Sequence, residues 1–65
     1  MLAKLIDYLG QTHIINTTHI YSIAVKNSES NKLIYVFWDN GTKTAYCVRP
    51  TEYSTFINSI LKEDK

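Results

Sequence analysis

Sixty-five residues make a single domain, 1–65, and a chain of this length buries only about 60% of the surface it exposes when unfolded. Seven basic residues against six acidic ones leave a net charge of +1, and 45% of the residues are hydrophobic, which excludes disorder, collagen and coiled coil. No apolar run reaches the roughly 18 to 20 residues of a membrane span, and the first residues lack the order of a signal peptide, so the expectation is a soluble, cytoplasmic protein.

In chain order, Lys4 to Leu9 and Thr12 to Ile15 read as strands joined by a type II′ turn at Gly10-Gln11, because glycine suits the first central position. Leu2, Leu5, Ile6 and Leu9 also repeat at i, i+3, i+4 and i+7 ahead of Gly10, so a short helix over 2–9 is the competing reading. After a break at Asn16-Thr17-Thr18, His19 to Lys26 is rich in β-branched and aromatic residues and reads as a third strand. The polar run from Asn27 to Asn31 is a connection. Asn40-Gly41, between Leu33 to Asp39 and Thr42 to Val48, predicts a hairpin with a two-residue type I′ turn and positive φ at both positions. From Pro50 the period changes. Tyr53, Phe56, Ile57, Ile60 and Leu61 form one stripe while Glu52, Thr55, Ser59, Lys62 and Glu63 fall elsewhere, which predicts an amphipathic helix with Thr51 as N-cap or Pro50 at the first helical position. The expected fold is α+β: a small curved antiparallel sheet of four to five strands, a meander or half-barrel, followed by that helix.

The spacing of Leu9-Gly10-Gln11, Ile15-Asn16, Ile20 and Ile23, then the polar loop, Leu33 to Phe37, Asn40-Gly41 and the terminal helix, resembles the short flagellar-operon proteins of the FlbD-like family. A looser similarity runs to the β-rich LytTR DNA-binding domain. The resemblance spans nearly the whole chain and is carried by turn glycines and apolar spacing, while Tyr35, Phe37 and Trp38 in one strand depart from it. It implies no catalytic residue, since the family has no defined activity to carry over.

A two-residue loop at Asn40-Gly41 would pair Phe37 with Thr44, Tyr35 with Tyr46 and Leu33 with Val48. One face then holds Leu33, Tyr35, Phe37, Tyr46 and Val48, the bulkier set and the expected core. The other holds Ile34, Val36, Trp38, Ala45 and Cys47, beside Lys43. A strand apolar on both sides needs two covers, and one helix supplies one. The sheet curling onto Leu5, Leu9 and Ile14 would supply the second. For a small domain with neither disulfide nor evident metal, a homodimer is the expected solution, with Ile34, Val36, Trp38, Ala45 and Cys47 as its interface.

Chemistry has little to stand on. Asp7, Asp39 and Asp64 are scattered, no glycine-rich phosphate loop exists, and Cys47, the only cysteine, reads as a small buried hydrophobe. His13 and His19 on neighbouring strands would suit Zn²⁺ or Cu²⁺, but no third ligand is evident, so no catalytic, cofactor or metal residue is expected. Aromatic residues on strands would suit a nucleic-acid stacking platform with Lys26, Lys32, Lys43 and Arg49 as phosphate contacts. The nearly cancelled charge favours the other reading: a self-associating, non-enzymatic interaction or regulatory module that binds a partner protein, in the manner of a phage-encoded inhibitor or adaptor. Free edge strands offer a further route, β-augmentation.

Overall fold

The computed structural model describes residues 1–63. Five strands, β1 (Leu2–Ile6), β2 (Thr12–Asn16), β3 (Ile20–Ser28), β4 (Asn31–Trp38) and β5 (Lys43–Val48), precede one helix, α1 (Pro50–Glu63). The architecture is α+β, with all strand pairs antiparallel. A 3-10 turn over Thr17–His19, capped by Asn16 Oδ1 accepting from Thr18 N–H at 3.1 Å, joins β2 to β3.

Both glycines of the chain close hairpins, and they do so in the same way. Gly10 N–H donates to Asp7 O at 2.9 Å while Asp7 N–H closes the loop on Gln11 O at 3.0 Å. Gly41 N–H donates to Trp38 O at 3.1 Å while Trp38 N–H reaches Thr42 O at 2.9 Å. Each is a three-residue loop, a type I turn whose glycine, at φ +84° and +90°, takes the left-handed position that forms a bulge. This corrects both expected two-residue turns. Asn40 has no positive φ; its Oδ1 instead accepts from Thr42 N–H at 3.1 Å and Thr42 Oγ1 at 2.7 Å.

The extra loop residue slips the β4–β5 register by one. Phe37 faces Lys43, Tyr35 faces Ala45, Leu33 faces Cys47 and Ile34 faces Tyr46. Because side chains alternate with period two, the slip turns every β5 side chain over relative to β4. Ile34, Val36, Tyr46 and Val48 therefore share the inner face, and Leu33, Tyr35, Phe37, Ala45 and Cys47 the outer one. Neither expected face exists as drawn.

The strands form two sheets rather than the single curved sheet expected: β1-β2, and β3-β4-β5. A backbone bond joins them, Tyr8 N–H to Cys47 O at 2.8 Å, at a point where the chain has already entered its first turn, so the ladder goes no further. The inner face of the β1-β2 hairpin supplies Ala3, Leu5 and Ile15, the larger sheet supplies Ile34, Val36 and Val48, and α1 supplies Phe56; together these are the buried core. Leu9 and Ile14, expected to help cover the sheet, are exposed. Pro50 occupies the first helical position and Arg49 O accepts Tyr53 N–H at 2.9 Å, so Thr51 lies inside the first turn rather than capping it. Among the described residues no helix is long and apolar enough to cross a membrane.

Candidate interaction surface

Hairpin β1-β2 and helix α1 both pack on the inner side of the larger sheet, and among the described residues no element covers its outer side. Down the middle strand of that side run Leu33, Tyr35 and Phe37, all half-buried. On β3 they face Lys26, Ala24 and Ser22, and on β5 they face Cys47, Ala45 and Lys43. Lys43 Nζ stands 5.6 Å from the Tyr35 ring centroid and 6.0 Å from that of Phe37, a cation–π geometry with both rings. No carboxylate projects from the three strands on this side.

The five residues expected to form an interface do not make one surface. Ile34 and Val36 are fully buried in the core. Trp38 packs against that core, its Nε1–H donating to Thr44 Oγ1 at 2.9 Å. Ala45 and Cys47 belong to the open face, on the far side of the sheet. The cause is the one-residue slip, which moved the two β5 members of the set across the sheet.

The four expected phosphate contacts are dispersed as well. Lys26 and Lys43 lie on the open face at diagonal corners, about 16 Å apart by strand geometry. Lys32 lies on the other side, donating to Asn27 Oδ1 at 2.7 Å with its ammonium 5.5 Å from the Tyr53 ring. Arg49 Nη2 donates to Tyr8 O at 3.2 Å, which with the Cys47 bond holds the Tyr8 backbone from both sides.

A groove of about 530 Å³ runs between the first turn and β5, past Tyr8, His13, Ala45, Tyr46 and Cys47. Its floor is the anchor of the turn. Asp7 Oδ1 accepts from Leu9 N–H at 3.0 Å and Gln11 N–H at 2.9 Å, and His13 Nε2 lies 2.8 Å from Asp7 Oδ2. The hydrogen bond from His13, more than any other contact, holds the Asp7 carboxyl below its usual range, with the Gln11 and Leu9 amides assisting against the opposing effect of burial. The His13 ring meets Tyr46 edge-on, centroids 5.0 Å apart, and desolvation pushes the Tyr46 hydroxyl above its ordinary value.

His19 forms a separate exposed pair with Asp39 Oδ2 at 3.0 Å, so the two histidines expected to approach each other each face a different aspartate. Among the described residues no group of three or more His, Cys, Asp or Glu side chains converges. Asp64 lies outside the described residues, as do the side chains of Lys62 and Glu63. The Asp7–His13 pair was missed from sequence, although Asp7-x-x-Gly10 is the type I turn pattern with Asp first and Gly fourth, and it fixes the register that brings His13 round to Asp7. No protein-family profile, curated protein or solved structure matches this chain.

Proposed function

We propose that this chain is a non-enzymatic protein-interaction module that receives a partner protein on the open face of its three-stranded sheet. The observation that carries the reading is the make-up of that face: Leu33, Tyr35 and Phe37 at the centre, Ala24, Ala45 and Cys47 beside them, and Lys26 and Lys43 at opposite corners. An aromatic centre free of acid, with polar corners, has the anatomy of a protein-binding patch. Rigid aromatic side chains supply contact area at small entropic cost, and the alanines leave room for a partner to approach closely. The matching partner surface is apolar, with carboxylates placed to meet the two lysines.

Single-stranded nucleic acid is the second reading, favoured by the lack of acid on this face. Against it, only Lys26 and Lys43 of the four expected basic residues lie there, and Lys43 covers the ring faces on which bases would stack. The double variant Tyr35→Ser/Phe37→Ser touches no fully buried residue and should stay folded by circular dichroism. It should lose a protein that the wild type retains from nuclease-treated host extract. A partner retained equally by the variant would refute the face, and tight binding of a labelled oligonucleotide by the wild type, lost in the variant, would replace the protein reading with the nucleic-acid one.

A further inference from the structure

The strand order β3-β4-β5 makes β3 an edge, and at nine residues it is the longest strand of the protein. Trp38 N–H bonds to Thr42 O, so the even-numbered residues of β4 direct their backbone groups toward β5 and the odd-numbered ones toward β3. Ser22, Ala24 and Lys26 face Phe37, Tyr35 and Leu33 and therefore point inward along the ladder. Ile23, Val25 and Asn27 direct their N–H and C=O groups outward. Among the described residues none of these outward groups has a backbone bond from another element.

Natural edges are blunted by short length, proline, charge or bulges, and β3 has little of this protection. Its bulge, between Ile20 and Ser22, lies at one end, and Lys26 is its only charge. Tyr21 is 80% exposed and Val25 40%. The β5 edge differs, because Tyr8 already occupies the Cys47 carbonyl.

We propose that β3 pairs with β3 of a second copy of this chain, antiparallel across a two-fold axis at Val25. The regular stretch beyond the bulge, Ser22 to Ser28, is centred on Val25, and self-pairing about that residue places Ile23 opposite Asn27 of the copy and Val25 opposite itself. The residues whose backbone groups point outward thus meet residues whose groups also point outward. The backbone match is open to any antiparallel strand; what selects a second copy is the side-chain register, which sets apolar Val25 on Val25 and each Lys26 on an alanine. Lys26 falls opposite the copy's Ala24, so like charges do not meet directly, and the exposed Val25 side chains cover each other. The product is a continuous sheet β5-β4-β3 running into β3-β4-β5 of the copy. This goes beyond the docking reading and does not depend on it.

Light scattering over a concentration series should give a mass near twice 7.5 kDa for the wild type. Val25→Lys and Val25→Glu, each placing like charges opposite one another at the axis, should each give the monomer mass, and mixing the two should restore the dimer. In the wild type, hydrogen exchange at the Ile23, Val25 and Asn27 amides should slow as concentration rises, a readout that needs no variant to fold. A wild-type mass of 7.5 kDa at every concentration, a dimer unaffected by Val25→Lys, or exchange at those three amides that ignores concentration would each overturn the proposal.

Discussion

Val48→Ala and Cys47→Ala change adjacent residues, and their relative costs report which face of β5 is the core. Val48 has no exposed surface and packs in the cluster with Ile34, Val36 and Phe56. Removing two carbons forfeits about 1.6 kcal/mol at ~0.8 kcal/mol per buried methylene. The cavity left in a close-packed core raises this to about 2–3 kcal/mol. Cys47 is only half-buried and sits on the open face, where truncation should cost less than about 1 kcal/mol. A domain of 65 residues holds roughly 3–10 kcal/mol in all, so Val48→Ala removes a large share yet should leave a measurable transition. Urea denaturation followed by fluorescence of the single tryptophan, Trp38, gives both values from the midpoints at a common slope. On the register of a two-residue turn, Cys47 and not Val48 would share the face of Ile34 and Val36. A cost for Cys47→Ala equal to or above that for Val48→Ala would refute the observed register.

Gly41 sits at φ +90° with open space around its missing Cβ, so Gly41→Ala should cost about 1–2 kcal/mol of backbone strain alone, whereas Glu29→Gly should raise the urea midpoint by relieving a non-glycine φ of +54°; a neutral Gly41→Ala would contradict the turn geometry. Asp7 gives a pH test. Its folded-state pKa lies below the ordinary 3.8, so its contribution to stability is present above that value and is lost as pH falls through the lower folded-state pKa. The stability gap between wild type and Asp7→Asn, measured by denaturation at a series of pH values, should therefore be widest above about pH 4 and narrow as the medium is acidified; a gap constant down to pH 2 would show that the His13 bond does not bias ionisation.

The helix was legible because Tyr53, Phe56, Ile57, Ile60 and Leu61 recur with a helical period no strand shares; the first four do pack in or against the core, while Leu61, expected on the same stripe, is exposed. The Asn40-Gly41 hairpin was legible too, but not its loop length. A type I′ turn and a type I turn with a bulge both favour Asn-Gly; they differ by one residue and by the sign of φ at Asn40, which the residue's identity does not settle. That ambiguity inverted the face assignment. The division into two sheets was less legible still, since it depends on Tyr8 meeting Cys47 after β1 has ended, and this follows from the loop length at Asp7 to Gln11 rather than from any apolar pattern. Leu2, Leu5, Ile6 and Leu9 mimic a helical stripe, yet Leu5 is buried while Leu2 and Leu9 are exposed, as alternation in a strand and a turn position require.

The two proposed surfaces differ in what they do to the apolar excess of β4. Among the described residues one hairpin and one helix act as covers, and both lie on the Ile34 and Val36 side, so pairing at the edges leaves Leu33, Tyr35 and Phe37 uncovered. Pairing through β3 would not cover that face; it would extend it, setting two open faces side by side on one sheet. A partner with two matching sites would then gain affinity from the second contact with no new interaction at the first. The two surfaces should therefore separate in the same titration. Val25→Lys should weaken binding of a bivalent partner, leave that of a monovalent one unchanged and abolish the dimer, while Tyr35→Ser/Phe37→Ser should abolish both kinds of binding and leave the dimer mass intact. Loss of the dimer in the second variant would mean that the open face itself is where the copies meet.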